Sequence, residues 1–363
     1  MLLWLDLRFL KNDLYSNFIL ELIQNLIINN WNNRYTIYIN SDNKDNTHIS
    51  KLSLNKNCKI KIIEIKNFSL KEQIHFLKIL NNDKNNLTIF FNHFKPIFYR
   101  WNYYTFVLSL KNIYYWNFKS SLSKYKYIFL LEKNLEKSEK IICFDNNTKN
   151  ELTERFNIKE EKINIIHWFF KDSLINKLDI WKNEINIDIK AKYWIKNNYL
   201  IYAYWDWIEK NIEKLIQIYD KINKNTDLII LWDKISKNIF LRNKIINLNL
   251  QNRIKFVSQI KNSEIPLLYK QSIWTIFPSL YETFPFELSN AIKYNIPIIA
   301  SDLTNLKNIF WDTIKYFSPI SRIDMIKQIN KFIQNNTQNK EYNNIIKNYS
   351  LSLTSEQLIK IIN

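Results

Sequence analysis

Glycine is absent from this chain of 363 residues, although an average usage of about 7% would give roughly 25 of them. Glycine supplies the left-handed backbone conformations and the close backbone approaches that tight turns need. The same chain has 12 tryptophans, a residue that most proteins use sparingly. A two-domain protein without glycine is physically unusual, so the positions of the tryptophans need individual inspection.

Cysteine, histidine and long apolar runs are also scarce, and each scarcity argues against a class of site. Cys58 and Cys143 lie in apolar, strand-like runs without a secretory signal, which indicates reduced, buried thiols in a cytoplasmic protein. None of the four histidines has the spacing of metal ligands, so no metal site is expected. No run of about 18 apolar residues occurs, so no membrane-spanning helix is expected.

The composition indicates a globular protein with a basic surface. With 46% hydrophobic and 24% charged residues, the chain can bury the cores of two domains. Its formal net charge of +18 comes from lysines that are dispersed among Asn and Glu, in a composition rich in residues with A/T-rich codons. Codon bias on a solvated surface therefore explains the charge best. Contact with an anionic membrane is the minor alternative, and a nucleic-acid partner is not expected.

Short apolar runs alternate with amphipathic stretches along the whole chain, which predicts an α/β fold with two doubly wound sheets. We expect domains at 1–172 and 173–344, a link rich in Asn and Lys around 172–197, and a final helix at about 345–363 that packs back on the first domain. Strands are predicted at 2–7, 35–39, 60–65, 87–91, 105–108 and 140–144, and then at 199–204, 228–231, 254–257, 274–277 and 297–300.

Several tryptophans stand where an α/β protein needs a tight turn. Trp205 and Trp232 each follow a predicted strand, and Trp31, Trp194 and Trp311 lie in turn-like contexts. A side chain with a Cβ is penalised where φ is positive, whereas glycine is not. The hypothesis is that these tryptophans are UGA codons that an alternative genetic code translates as glycine. The alternative is a genuinely tryptophan-rich chain.

The stretch from Phe277 to Asp302, which contains no tryptophan, resembles the donor-site motif of family-four glycosyltransferases, the "glycosyl transferases group 1" type. That motif is Pro-Ser-x-x-Glu-Gly-Phe-Gly, a second Glu after seven residues, and then Gly-x-Pro-Val-Ile-Ala-Ser. The spacing from Glu282 to Ser301 is kept without a gap.

Other segments resemble the same family in the same order. They begin at Leu3-Trp-Leu-Asp-Leu-Arg, Tyr202-Ala-Tyr-Trp-Asp-Trp, Asn252-Arg-Ile-Lys and Ile309-Phe-Trp-Asp. The resemblance covers nearly the whole chain, strongly from Asn198 to Pro319. It implies a GT-B architecture, in which two Rossmann-like domains face each other across a cleft. It also implies a retaining, metal-independent, hexosyltransferase-like enzyme of cell-envelope polysaccharide biosynthesis, cytoplasmic or peripheral at the inner membrane face.

The resemblance also assigns roles to individual residues. Lys210 and the turn at Trp205 would bind the donor diphosphate, and Glu282 would lie at the donor sugar as the catalytic carboxylate. Thr283, Phe284 and Phe286 would form the loop beside the donor, where a helix N-terminus attracts phosphate. Taken alone, Glu282 and Lys210 could each be an ordinary surface charge. The donor is a UDP- or GDP-sugar that acts as substrate, and no cofactor or metal is implied.

The chain departs from the family motif at several positions. Asn290 replaces the second glutamate, which in the family holds the nucleotide ribose, and Asn can still bond hydroxyls but without charge. Glu287 is near in sequence, but an offset of three residues is expected to turn it away on a helix. Pro285 removes one N–H from the loop. The family's acceptor-side His-Asp pair has no clear counterpart, so Asn92 and His93 are the candidates on that side.

Two functions fit these observations. The first is transfer of a sugar from a nucleotide-sugar donor to a glycan or lipid-linked acceptor. The second is that of a GT-B-fold partner subunit without catalysis, which the altered ribose and acceptor motifs would favour.

Overall fold

The computed structural model describes residues 1–11, 14–65, 69–82, 85–115, 120–170, 188–203, 208–231, 239–257, 260–261, 264–334 and 342–363. Their contacts divide the chain into two units. The first consists of Met1–Phe169 and Tyr349–Asn363, and the second of Phe170–Asn348. Trp205, Trp207 and Trp232 lie outside the described residues.

The first unit is built on a parallel sheet of seven strands, as the alternation in the sequence predicted. Its strands lie in the order β3-β2-β1-β4-β5-β6-β7, so the chain reverses its direction of winding between β1 and β4. The strands are β1 Leu2–Asp6, β2 Arg34–Ile39, β3 Cys58–Ile62, β4 Leu87–Phe90, β5 Tyr103–Val107, β6 Lys140–Cys143 and β7 Ile163–Ile165.

Helices connect these strands because parallel neighbours need a crossover. They are α1 Leu14–Asn29, α2 Thr47–Ser53, a π-helical turn Glu72–Phe76 that continues into α3 Leu77–Asn82, α4 Lys111–Tyr115, α5 Ser121–Lys137 and α6 Asn146–Phe156. Strands β4 and β5 are buried along their whole length, as expected where both faces of a parallel sheet are covered.

The second unit holds a parallel sheet of six strands in the order β10-β9-β8-β11-β12-β13, so its winding reverses between β8 and β11. The strands are β8 Asn198–Ala203, β9 Thr226–Leu231, β10 Ile254–Val257, β11 Trp274–Phe277, β12 Ile298–Ser301 and β13 Lys315–Phe317.

Its helices are α7 Ile189–Lys192, α8 Ile212–Ile218, α9 Ile239–Asn247, α10 Ile265–Gln271, α11 Ser289–Lys293, α12 Thr304–Phe310, α13 Arg322–Gln334 and α14 Asn343–Asn348. A last helix, α15 Leu351–Ile362, belongs to the first unit, where it packs on α1. In the parts of the chain that the structure describes, no helix is both long enough and apolar enough to span a bilayer.

The two cysteines lie in the strands where the sequence placed them. Cys58 opens β3 and is half-buried, whereas Cys143 closes β6 and is buried, and both are free thiols. Burial raises the pKa of Cys58 to about 11 and that of Cys143 to about 12, so both thiols are unreactive at neutral pH.

Candidate functional site

Lys210 and Glu282 meet at the reversal point of the second sheet. Lys210 ends the 3₁₀ turn Ile208–Lys210, which follows β8, and Glu282 lies in the loop that follows β11. Strands β8 and β11 are neighbours, so both side chains stand beyond the carboxyl edge of the sheet. In open α/β sheets, ligands bind in the crevice at this kind of position.

The Lys210 ammonium lies between two carboxylates. Its Nζ is 2.6 Å from Oε2 of Glu282 and 2.6 Å from Oε1 of Glu287, and the three side chains are less than a tenth exposed. The third side of the ammonium faces the Phe277 ring, 5.1 Å from its centroid. Burial by itself lowers the pKa of Lys210, but the charges of Glu282 and Glu287 outweigh it and hold that pKa above its ordinary value. Lys210 is therefore a permanent cation.

Hydrogen bonds to main-chain carbonyl groups fix the position of Lys210. The Tyr202 hydroxyl on β8 donates to the Lys210 carbonyl oxygen over 2.8 Å, and the Leu280 N–H donates to the Glu209 carbonyl over 2.7 Å. Asn211 has a left-handed backbone with a φ of 57°, and its Nδ2 donates to the carbonyls of Pro278 and Pro319. The loop after β8 is thus tied to the loop after β11.

The backbone of Glu282 is also held. Nδ2 of Asn305 on α12 donates to its carbonyl oxygen over 2.8 Å. Phe284 is buried two residues later and packs on the rings of Phe170 and Phe286, at centroid distances of 4.7 and 4.9 Å. The Phe284 side chain therefore anchors the loop as part of the core, and Thr283 beside it is half-buried.

The prediction that Glu287 turns away from the site was wrong, because it assumed an α-helix at this position. Residues Phe286–Leu288 form a 3₁₀ turn, and only from Ser289 does the chain continue as the short helix α11. A 3₁₀ turn rotates each residue by a larger angle than an α-helix does, and Glu287 turns toward Lys210. The sequence gives no sign of the Glu287–Lys210 contact, because these two positions, 77 residues apart, come together only in the folded sheet.

Asn290 lies on α11 close to the buried Tyr269 hydroxyl. Burial raises the pKa of Tyr269, the charge of Glu287 adds to the effect, and the Asn290 amide opposes it. Glu287 and Asn290 are therefore both near this hydroxyl. The carboxylate that joins Glu282 at Lys210 is that of Glu287. Trp205, the remaining donor-side candidate, lies outside the described residues.

Asn92 and His93 follow β4 at the reversal point of the first sheet. Asn92 Oδ1 accepts a hydrogen bond from the Phe94 N–H, which shapes the loop. His93 Nε2 is 2.8 Å from the Tyr127 hydroxyl, and its Nδ1 is buried without a hydrogen-bond partner. Burial lowers the pKa of His93 to about 4, so the imidazole is neutral at pH 7.

A buried ion cluster that the sequence did not indicate stands after the neighbouring strand β1. The Arg8 guanidinium is 2.9 Å from Asp6 and 2.8 Å from Glu72, and it stacks 3.5 Å from the Phe76 ring centroid. All its charged partners are buried with it. The cluster ties the end of β1 to the π-helical turn. Among the residues that the structure describes, no three His, Cys, Asp or Glu side chains group as a metal site would need.

Comparisons with known proteins agree with this architecture. Residues 188–350 match the family model of the glycosyl transferases group 1. A similar sequence is the O-antigen chain mannosyltransferase RfbU of Salmonella typhimurium, 23% identical over 201 residues that cover 55% of this chain and 52% of the relative. The chain thus spans about half the length of this curated relative.

Solved structures share the fold over the whole chain. WaaG, a glycosyltransferase involved in lipopolysaccharide biosynthesis, has a TM-score of 0.71 at 14% identity, with 100% of both chains covered. HepE of Anabaena in complex with UDP-glucose has a TM-score of 0.68 at 12% identity, with 99% of this chain and 98% of HepE covered. The predicted GT-B fold class, with two parallel-sheet α/β domains, is confirmed, and residues 188–350 are similar to the glycosyl transferases group 1 family over less than half of the chain.

Proposed function

We propose that the chain is a retaining glycosyltransferase that moves a sugar from a UDP- or GDP-sugar to a glycan or a lipid-linked acceptor. The observation that carries the proposal is the buried Lys210 cation beside Glu282 at the reversal point of the second sheet. A cation at that edge can bind the diphosphate of a nucleotide-sugar donor, and a carboxylate can bind its sugar.

Lys210 would stabilise the leaving group. Negative charge grows on the diphosphate as the glycosidic bond breaks, and a fixed cation in a dry site stabilises that charge strongly. Because Lys210 keeps a raised pKa, it needs no proton transfer to serve at neutral pH. The proposed reaction accordingly needs no metal ion.

Glu282 would bind the donor sugar. Its carboxylate can accept hydrogen bonds from sugar hydroxyls and can stabilise positive character at the anomeric carbon. Its carbonyl is tied to Asn305 and its neighbour Phe284 is buried, so the carboxylate starts from a fixed backbone.

Glu287 would have to release Lys210 when a donor binds. An ammonium has three N–H groups, and two of them point at carboxylates while the third side faces the Phe277 ring. The cluster carries a net charge of about −1, which repels a diphosphate. Because Glu282 is needed at the sugar, we propose that Glu287 moves away and that a phosphate oxygen takes its place at Lys210.

The relatives support this choice of substrates without fixing it. RfbU is described as a mannosyltransferase of the O-antigen chain, WaaG takes part in lipopolysaccharide biosynthesis, and HepE was solved with UDP-glucose. We therefore propose a role in cell-envelope polysaccharide biosynthesis, in the cytoplasm or at the inner face of the membrane.

The pairing of Lys210 with both Glu282 and Glu287 also favours a second candidate function. If Glu287 stays on Lys210, the site cannot accept a diphosphate, and the chain would act as a GT-B-fold partner subunit without catalysis. Asn290 in place of a carboxylate points in the same direction.

Turnover of a nucleotide sugar by the Glu282→Ala variant tests the proposal. Loss of a group that stabilises the transition state should lower the rate about 100-fold or more. Glu213→Ala, on the exposed carboxylate that pairs with Lys244, should keep full activity. NMR of the product should show retention at the anomeric carbon, and EDTA should leave the rate unchanged. Equal activity of both variants would refute the assignment of Glu282, and no turnover by the unaltered chain would favour the partner-subunit function.

A further inference from the structure

Three adjacent segments cover one face of the first sheet. Tyr103 and Val107 lie four residues apart on β5, so their side chains point to the same face. Tyr103 shares a core cluster with Phe76 of the π-helical turn, and Val107 shares one with Leu131 of α5. Residues 69–82 and α5 therefore pack on the same side of the sheet.

The loop 91–102 lies between those two helical segments and is bonded to both. On one side, the Ile97 N–H donates to Oε1 of Gln73 over 2.8 Å. On the other side, His93 contacts the Tyr127 hydroxyl of α5 at 2.8 Å. The three segments thus form one continuous outer layer of the first unit.

This layer presents large apolar side chains to solvent. Seven of them are between 53% and 80% exposed, with at least two on each of the three segments, and we call them the apolar face. Its members are Leu70, Ile74, Phe98, Trp101, Leu122, Tyr125 and Phe129. Scattered exposed apolar residues are ordinary, but a group of this size on three adjoining segments marks an interaction surface.

Exposed cations accompany the apolar face along the chain. Lys71, Lys78, Arg100 and Lys126 are all exposed on the same three segments. The only carboxylate of the described residues 69–82 is that of Glu72, which is buried in the ion pair with Arg8. The sequences 91–102 and 120–131 contain no acidic residue. The surface is therefore both apolar and positive.

Four members of the apolar face lie near the carboxyl edge of the sheet. Each helical segment runs back from the carboxyl edge of the parallel sheet, so its first turns lie at that edge. Leu70, Ile74, Leu122 and Tyr125 belong to those first turns, whereas the exposed acidic residues of α5 follow Leu131. The carboxyl edge is also where doubly wound sheets bind their ligands.

We propose that the apolar face binds the surface of an anionic membrane. Leucine, isoleucine and aromatic side chains would enter the headgroup region, and the lysines and Arg100 would contact lipid phosphates. A membrane fits better than a protein partner because exposed cations accompany the apolar side chains on all three segments, as binding to an apolar layer beneath anionic headgroups requires. If the proposed function holds, which this step requires, a lipid-linked acceptor would reach the carboxyl edge from the bilayer.

Co-sedimentation of the full chain with vesicles tests the surface in the absence of nucleotide sugar and acceptor. We expect binding to vesicles of phosphatidylcholine mixed with phosphatidylglycerol, weaker binding at high salt, and little binding to phosphatidylcholine alone. The double variant Phe98→Ser/Leu122→Ser should bind at least about tenfold more weakly, because two side chains lose their transfer free energy. Lys71→Glu/Arg100→Glu should weaken binding and remove most of its dependence on salt.

The matched control is Ile320→Ser/Ile323→Ser, which alters two equally exposed side chains of the second unit. This control should bind vesicles as the unaltered chain does. Equal loss in the control and in the face variants, or equal binding to neutral and anionic vesicles, would overturn the proposal. Retention on immobilised polyglutamate without vesicle binding would indicate an acidic polypeptide instead and would also overturn it. Because the vesicle experiment contains no donor, absence of vesicle binding would refute the membrane surface but not the proposed transferase activity.

Discussion

At the scale of single residues, asparagine performs the task that glycine performs in most chains. Six non-glycine residues of the described parts have a positive φ: Asn157, Asn211, Asn249, Asn295, Trp194 and Trp311. Asparagine tolerates the left-handed region better than other residues with a Cβ. Asn157 ends α6 in this conformation, with a φ of 50° and a ψ of 36°.

The two tryptophans in this group have no such tolerance. Trp194 has a φ of 51° and Trp311 a φ of 43°, and both indoles are more than 60% exposed. We propose that these positions are glycine in the native protein. Trp4, Trp168 and Trp274 differ, because as written they are buried in the core. The intact mass of the protein from its own host decides the matter, since a mass that fits twelve tryptophans would refute recoding.

Trp311→Gly should stabilise the chain by about 1 kcal/mol, because relief of a strained backbone outweighs the greater entropy of glycine in the unfolded state. The hydrogen bond from the Tyr316 hydroxyl to the carbonyl of residue 311 would be kept. Denaturant unfolding measures the change. Trp101→Gly is the control, because Trp101 is also exposed but is not among the left-handed residues. A gain for Trp101→Gly as large as that for Trp311→Gly would contradict the account.

His93 should make stability depend on pH. Burial holds its pKa at about 4 in the folded chain, against an ordinary value of 6.5. Between these values the unfolded chain binds a proton that the folded chain does not, so stability falls as the pH is lowered from 6.5 to 4. The loss amounts to about 3 kcal/mol at most.

The His93→Gln variant should lose this part of the pH dependence in denaturant unfolding at a series of pH values. His75→Gln, at an exposed histidine of the π-helical turn, is the control and should keep it. Identical profiles for the unaltered chain and His93→Gln would show that His93 is not the group involved.

The sequence could predict Lys210 and Glu282 because the family motif keeps its spacing there. It could not predict the contacts of Glu287 and Arg8. The contact of Glu287 with Lys210 depends on a 3₁₀ turn where an α-helix was expected. Arg8 pairs with Glu72 across 64 residues, a distance that only the packed sheet closes. Whether the predicted site residues act in catalysis stays a prediction.

At the scale of elements, the predicted strands match those of the structure to within a few residues, because buried parallel strands are continuous apolar runs. The two strands that were not predicted, β7 Ile163–Ile165 and β13 Lys315–Phe317, have three residues each and lie at the edges of their sheets. Such short runs carry too little pattern to be distinguished from loops.

Helix α15 should stabilise the first unit although it comes last in the chain. Leu358 is fully buried where α15 packs near α1, and Gln357 accepts a hydrogen bond from the His167 N–H over 2.8 Å. Leu358→Ala should lower the free energy of unfolding by about 2–5 kcal/mol through the cavity that it leaves. Leu353→Ala, on a partly exposed side chain of the same helix, should change it far less. Similar losses for both variants would argue against this packing.

At the scale of the whole molecule, each of the two sheets reverses its winding once, and the candidate residues follow the strands at those reversals. Alternating apolar runs could predict two such sheets, and the family resemblance could predict their class. The loop 204–207, which carries Trp205 and Trp207, lies outside the described residues, so their place at the donor stays a prediction.

Donor binding by the whole chain tests the central claim most directly. Calorimetry with UDP- and GDP-sugars should detect binding by the unaltered chain. It should show a loss of about tenfold or more for Lys210→Met, because a buried charge-assisted contact is removed. Glu287→Gln should bind more tightly, since its carboxylate no longer competes with phosphate for Lys210. Lys214→Met, at a partly buried lysine one turn further on, is the control and should bind as the unaltered chain does. Absence of donor binding, or equal affinities for Lys210→Met and Lys214→Met, would contradict the account.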